Sequence, residues 1–381
     1  MAKLLTAASC VGRTRLLVLQ PTPFCNIDCS YCYLPDRTDR HRMPLDVVEA
    51  AVRFVFDAAL PAPDFTIVWH AGEPLVVPPE WYKAAFARIS SVTQRSIPHA
   101  MQTNGMLIDP SWCDLFLEHE IRLGVSLDGP AWLHDSRRRT RSGLGTHARV
   151  MKGIDLLRRR NIPFHVICVV GDKTLDVAQE IVDFFVGEGI YNVGFNIDEV
   201  EGANRISSLH GADVVARFRR FFHAVIDLAQ RTEPLLAIRE QREVLSNLRQ
   251  SGFGDLAGNS QNEPFGFVSV SSRGALYTFS PELAGLKDPV LGDLSIGQLP
   301  GDQFADVLKG DCFQRIWRDI QTGVEACRSN CVYFNVCLGG APSNKLAEHG
   351  TFTGTETLHC QLTKQVVADV ILADIEARLT I

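Results

Sequence analysis

The sequence lacks a long hydrophobic run. No uninterrupted apolar stretch in its 381 residues reaches the roughly 18 that a bilayer crossing needs, so no membrane span is expected. It also lacks a surplus of positive charge. Lys and Arg number 38 against 44 Asp and Glu, a net charge of −6, and nucleic acid is therefore not an expected partner. Low-complexity tracts are absent, as is any repeat beyond an alternation of strand-like and helix-like segments. The opening stretch MAKLLTAASCVGR has too little charge and too short an apolar core for a secretory signal. These absences lead to the expectation of a cytoplasmic protein, a compartment in which disulfides rarely persist.

Cysteine, in contrast, is plentiful. Eleven thiols in a reducing compartment call for metal. Three stand at Cys25, Cys29 and Cys32, in PFCNIDCSYCYLP, and four at Cys327, Cys331, Cys337 and Cys360. Cys10, Cys113, Cys168 and Cys312 are scattered and read as small buried hydrophobes. A [4Fe–4S] cluster normally takes one thiolate per iron, so the C-x3-C-x2-C set leaves one iron free to bind a small chelating molecule. Tyr31, beside the third thiol, is placed to pack on a flat cofactor. A zinc site completed by His41 or His70 is the bland alternative. The second set, C-x3-C-x5-C followed by Cys360, supplies four thiolates, so a cluster there is fully ligated and suits electron transfer or structure; zinc is the alternative again.

From residue 15 to about 200, strand-like runs at 15–21, 65–74, 99–105, 122–129, 164–170 and 192–198 alternate with amphipathic segments. Six such units predict an α/β fold, a partial (β/α)6 TIM-like barrel with its site at the C-terminal strand ends. Each strand but the fifth ends in polar or Gly-rich residues: the cysteine loop, AGEP, TNG, SLDG and FNIDE. Residues 1–250 are assigned to the barrel, with a helical bridge at about 204–250 that breaks near RTEP. Residues 251–381 form the second domain, opening with a Gly/Asn/Ser-rich linker at 251–266. It continues with a hairpin FVSVSSRGALYTFS, a short helix QRIWRDIQTG, the second cysteine set and a last helix over about 361–379.

C-x3-C-x2-C with an internal aromatic resembles the radical S-adenosylmethionine superfamily. The resemblance implies that the open iron chelates the amino and carboxylate groups of S-adenosylmethionine, and that one electron cleaves it to a 5′-deoxyadenosyl radical. AGEP then resembles the strand end whose backbone at Gly72 and carboxylate at Glu73 hold the amino group. QTNG and SLDG resemble strand ends beside the ribose and carboxylate, which implicates Gln102, Asn104, Ser126 and Asp128. Arg138 is the carboxylate partner of choice, with Arg139 and Arg141 as alternatives. ICVVG resembles the strand that packs on adenine.

The second cysteine set resembles the SPASM domain, an iron–sulfur module of peptide-modifying members. It departs from that pattern at Ala341 and Phe279, where cysteines are expected, so one auxiliary cluster is kept and one lost. The resemblance thus implies two [4Fe–4S] clusters, one binding S-adenosylmethionine and one auxiliary. Anaerobic sulfatase-maturing enzymes share this architecture and carry an Asp base where this chain has Ser280. TFSPELAG, GGAPSNKLAEHGTF and TETLHC resemble the GrrM/OscB group of radical SAM/SPASM peptide maturases. That resemblance implies a cyclophane C–C crosslink, from an aromatic ring to a β-carbon, in a ribosomal precursor peptide. Glu282 and Asp198 are the candidate proton acceptors, and flavodoxin or ferredoxin the implied electron donor. A sulfatase-maturase-like reaction, a peptide epimerase and a zinc scaffold are the rivals. With 24 residues before Cys25, no N-terminal peptide-recognition domain is expected. FVSVSS (267–272) is a candidate sheet edge for an extended peptide.

Overall fold

Aliphatic and β-branched runs such as TRLLVL and FHVICVV suit strands buried on both faces, which is what a parallel sheet demands. All six expected strands form: β1 Thr14–Leu19, β3 Pro61–Trp69, β4 His99–Thr103, β5 Arg122–Ser126, β7 Phe164–Val170 and β8 Asn192–Ile197. Two short strands complete the numbering, β2 Ile27–Cys29 in the cysteine loop and β6 Arg138–Thr140. The computed structural model describes residues 12–252, 259–288 and 292–379. Cys10 and part of the expected linker, 253–258, lie outside them.

The six strands pair in parallel and in chain order, β1-β3-β4-β5-β7-β8. Helices α1 Leu45–Asp57, α2 Pro79–Val92, α3 Pro110–Glu118, α5 His147–Arg159 and α6 Ala178–Gly187 fill the crossovers, with α4 Ala131–Arg137 leading into β6. In α1, Val47, Val48, Ala51, Val52, Phe54 and Val55 are all buried, the one-sided pattern of a helix laid on a sheet. Trp69, on β3, is fully buried with Trp81, Tyr82 and Phe86 of α2 edge-on to it at 5.3–6.0 Å. Burying one such ring contributes roughly 1.5–3 kcal/mol.

The bridge is less purely helical than expected. Between α7 Val214–Ala229 and α8 Arg239–Gly252, the pair Ala237–Ile238 forms β9, which adds in parallel to β8. At the opposite edge, β10 Phe267–Val270 pairs in parallel with β1, and β11 Ala275–Thr278 runs antiparallel to β10. The hairpin therefore extends the main sheet and joins the two predicted halves. It also corrects one expectation. FVSVSS is not a free edge, because β10 is hydrogen-bonded on both sides. The strand Gly297–Gln298 caps β11, and it and β9 form the two outer edges.

Beyond α9 Phe304–Lys309, the short helix is in fact α10 Asp311–Asn330, 20 residues long, carrying Cys327 in its last turn. Then come α11 Phe334–Cys337, α12 Pro342–His349 and α13 Leu358–Cys360. A π-helical turn, Gln361–Val366, joins α13 to α14 Val367–Leu379, so the last helical run starts earlier than expected. The described end of the linker is anchored: the Asn259 amide donates to Cys337 O and Gly340 O, and Asn262 to Leu338 O. Cys113 and Cys168 are buried as expected, while Cys312 is only half-buried. No helix among the described residues is long and apolar enough to cross a membrane.

Candidate active site

The loop that leaves β1 carries the first three thiols across the C-terminal strand ends. It is pinned as a ribbon, β2 antiparallel to β6, with Cys29 opposite Arg138. Gly72 fixes its other side. Its φ of +68° suits glycine, and a Cβ there would lie 2.2 Å from Thr22 O, so the AGEP turn can press against the loop only without a side chain. Burial pushes the Cys25 thiol up to about 12, helped by Glu73, and Cys29 to about 11 despite Arg138. Such thiols ionise only against strong positive charge, which iron supplies. Asn104 Nδ2 and Arg138 Nη1 each stand 3.8 Å from a sulfur, of Cys25 and Cys29. His70 Nε2 lies 3.3 Å from the Tyr33 hydroxyl. Among the described residues no three His, Cys, Asp or Glu side chains converge as a single metal ion would require.

The strand-end residues are brought together, though several are engaged with one another. Glu73 is buried and accepts from Leu75 N, Thr103 Oγ1 and Asn104 N at 2.7–2.9 Å, tying the ends of β3 and β4. Burial raises its carboxyl. Gln102 Nε2 donates to Ser126 Oγ at 3.0 Å, and Asn104 Nδ2 to Asn26 Oδ1 at 2.7 Å. Asp128 is fully buried; it accepts from the Tyr31 hydroxyl at 2.7 Å and Val169 N at 3.0 Å. Burial alone would raise Asp128, but the guanidiniums of Arg138 (3.2 Å) and Arg137 (3.3 Å) outweigh it and hold the carboxyl at about 2. Tyr31 is thus held by Asp128 and by two guanidiniums at 4.9 and 5.4 Å from its ring. Arg139 and Arg141 bond instead to Asp135 O and Cys25 O.

Arg137 was not singled out in the sequence. Its Nε and Nη1 are buried and have no hydrogen-bond partner, an unmet demand that an anion would satisfy. The repeated RRR run hid it: spacing alone gave no reason to prefer one arginine.

The second set of thiols comes together around one cavity. Cys327, Cys331, Cys337 and Cys360 line a space of about 280 Å³ that they share with Lys345, His359 and Lys364. Burial raises Cys360 to about 12, with Cys337 and Cys331 adding to it, so the sulfurs feel one another. Lys345 is buried; its ammonium lies 3.4 Å from Cys327 Sγ and 3.1 Å from Gly323 O. A buried cation facing thiols fits an anionic group held by them. Phe279, where the SPASM resemblance implies a cysteine, is fully buried and stacks on Phe313, which stacks on Trp317.

Beside the four-thiol cavity lies a cavity of about 460 Å³ lined by Glu199, Glu201, Glu282, Asn344, His359 and Lys364, among others. Ala341, His359 and Lys364 line both cavities. Tyr33, half-buried on the three-thiol loop, accepts at its backbone O from Ala203 N at 2.7 Å, and desolvation first, then Glu282, Glu201, Cys32 and Glu199, raise its phenol. Glu282 is raised by burial; its carboxylate accepts from Ser280 Oγ, which also lies 3.2 Å from Ser343 Oγ. Glu199 and Glu201 are likewise raised, by burial first and then by their carboxylate neighbours. Asn344 Nδ2 donates to Glu199 at 2.6 Å, and His359 Nε2 stands 3.6 Å away. Glu199 and Glu201 were missed in the sequence, where FNIDEVE drew notice only for its strand end. Asp198 sits elsewhere, accepting from Asn204 Nδ2, Ser208 N and Ser208 Oγ, and it organises the loop after β8.

The family profile described as the Radical SAM superfamily matches residues 19–185. An uncharacterised protein, sll1766, of Synechocystis sp. is 41% identical over 374 residues, 97% of this chain and 94% of that one. The serine-type anaerobic sulfatase-maturating enzyme of Klebsiella aerogenes is 36% identical over 186 residues, 48% of this chain and 46% of its own length. Among solved structures, native anSMEcpe with bound AdoMet and Cp18Cys peptide superposes with a TM-score of 0.74 at 18% identity, covering 97% of this chain and all of that one. Streptococcus suis SuiB bound to precursor peptide SuiA gives 0.64 at 17% identity, covering 93% and 77%. With three thiols on the loop after the first strand of a sequentially ordered parallel sheet, residues 19–185 form a domain of the radical SAM superfamily, a family of enzymes.

Proposed function

We propose that this chain forms a C–C crosslink between an aromatic ring and a β-carbon in a ribosomally made peptide. The carrying observation is the acid-lined cavity that shares walls with the four-thiol cavity and whose Glu201 lies two residues before Ala203, which bonds to Tyr33 O of the three-thiol loop at 2.7 Å. Crosslinking removes two hydrogens from the peptide. One leaves as an atom, the other as a proton and an electron. A site for that chemistry needs a hydrogen-atom acceptor, a base and an electron acceptor around one substrate, and the three neighbouring features supply these places.

In this reading the sheet is an open partial barrel and residues 251–381 form its SPASM-like partner. Cys25, Cys29 and Cys32 hold one [4Fe–4S] cluster, and Cys327, Cys331, Cys337 and Cys360 hold another. Bound S-adenosylmethionine and the first cluster supply one-electron cleavage and hydrogen-atom abstraction. Arg137 and Arg138 receive the carboxylate of S-adenosylmethionine, while the Gly72 turn, Gln102 and Ser126 shape its bed. Glu282, with Glu199 and Glu201 sharing protons beside it, takes the proton released on rearomatisation. Asp198, saturated with donors, does not.

A second reading, a sulfatase-maturase-like oxidation of a serine or cysteine, is favoured by the Klebsiella aerogenes relative and by the near-complete overlap with anSMEcpe. On serine it too removes two hydrogens, and on cysteine it also exchanges sulfur for oxygen through water, but it leaves no new ring linkage. Reconstituted enzyme incubated with candidate peptides, followed by fragment mass analysis, separates the two. Loss of two hydrogens with fragments missing between two residues supports the crosslink. The same loss with full fragmentation and aldehyde reactivity sinks it.

A further inference from the structure

We propose that Arg40, Arg139 and Arg141 form the docking collar for a small, strongly acidic one-electron carrier protein. The inference rests on the reading that Cys25, Cys29 and Cys32 hold a reducible cluster. The chain as a whole is acidic, with a net charge of −6, yet the rim of this loop is not. Arg40, Arg139 and Arg141 are exposed, and among the described residues none lies within ion-pair distance of a carboxylate. Asp28 and Asp39, the nearby acids, are already paired with Arg37 (2.8 Å) and Arg273 (2.8 Å). Asp36 is exposed on the same loop. Asp135 turns its carboxylate to the amides of Thr146 and His147.

The collar is built onto the backbone that bears the thiols. Arg141 Nε donates to Cys25 O at 2.9 Å and Arg37 Nη1 to Cys29 O at 3.3 Å. Arg40 and Arg141 both cover the ring of Phe24, the residue before Cys25, at 4.2 and 5.5 Å. A partner resting on these guanidiniums is therefore within a residue or two of a ligand sulfur. Arginine held on a ring keeps its charge and loses little freedom on binding, which suits a recurrent but transient contact. Such an encounter gains mainly in association rate and depends strongly on salt.

The transfer is a one-electron step. The fully reduced, anionic flavin of the carrier gives up one electron and becomes the neutral flavin radical with no proton gained or lost, and the [4Fe–4S]²⁺ centre gains that electron and becomes [4Fe–4S]⁺.

The test uses the reconstituted holoenzyme and fully reduced flavodoxin, followed by stopped-flow absorbance. Arg40→Glu should slow carrier-driven reduction about tenfold at low salt, and Arg40→Glu with Arg139→Glu further. Wild-type reduction should slow steeply with added NaCl. Reduction of Arg40→Glu by methyl viologen radical, a small cation, should be no slower than wild type. Equal slowing with both reductants, or a carrier rate indifferent to charge and salt, overturns the proposal. Failure of methyl viologen to reduce even the wild-type centre would instead count against the cluster reading itself.

Discussion

The two cysteine sites answer the same problem, holding thiolates in a protein interior, in opposite ways. At the first, three thiols sit on one loop and the nearby positive charge is shared: Arg138 faces Cys29 but also pairs with Asp128. At the second, three thiols lie close together, at the end of α10 and in α11, the fourth comes from the distant α13, and the buried Lys345 faces Cys327 and a backbone carbonyl, that of Gly323. In the proposed reading the first site, three thiols on one loop, leaves a coordination place open, and the second, completed by Cys360 from a distant segment, is fully ligated. A site that must bind and release a cofactor is better built on a loop; one that only exchanges electrons is better enclosed.

The largest expected effect divides the two. Cys29→Ala should remove S-adenosylmethionine cleavage altogether, read as 5′-deoxyadenosine by chromatography. Cys337→Ala should leave that cleavage measurable while crosslinked peptide falls to background. If the Cys337 variant crosslinks at the wild-type rate, the second site is structural and the comparison collapses.

Much of this was legible in the sequence because it is local. The six strands, the cysteine loop after β1, and the turns at Gly72 and Gln102 are each set by a few adjacent residues, and the strands fall where periodicity and turn chemistry put them. What failed to show was long-range. The FVSVSS run has the same pattern whether it is an edge or sits between β1 and β11. The convergence of Glu199, Glu201 and Glu282 needs a strand end and a three-residue helix about 80 positions on to meet, which no spacing announces. Arg137 differs from its arginine neighbours only in which donors remain unmet once the chain is folded.

A smaller effect is expected where the two sites share a substrate. Glu282→Gln should lower crosslinking about 10²–10⁴-fold while 5′-deoxyadenosine formation changes little. The pH profile carries a sign. Burial raises Glu282, Glu199 and Glu201, so a base among them is protonated further up the pH scale than an ordinary Glu at about 4.3. Crosslinking should rise with pH through that raised range, and the Glu282→Gln variant should lose this limb. Stability runs the other way: a raised carboxyl stabilises the fold fully below about 4.3 and loses that contribution as pH climbs through its folded value. Opposite slopes for activity and thermal stability over the same interval are the signature; parallel slopes would mean that the limb reports unfolding.

The smallest effect concerns the cation that sets the second site apart. Lys345→Met removes a buried positive charge 3.4 Å from Cys327 Sγ and keeps most of the side chain's length. Reduction adds negative charge to the group those thiols hold, so losing the ammonium disfavours the reduced form and lowers the potential. At an effective dielectric of about 20, a unit charge at such a distance amounts to about 4 kcal/mol, which screening cuts to a shift on the order of 100 mV. Lys345→Arg should keep the charge and most of the potential. Spectroscopic redox titration reads the shift without turnover. The matching change at the first site, Arg138→Met, should move its potential less, because Asp128 already offsets that charge. If both replacements shift their centres equally, the buried ammonium is not what distinguishes the enclosed site, and the difference lies in solvent exclusion instead.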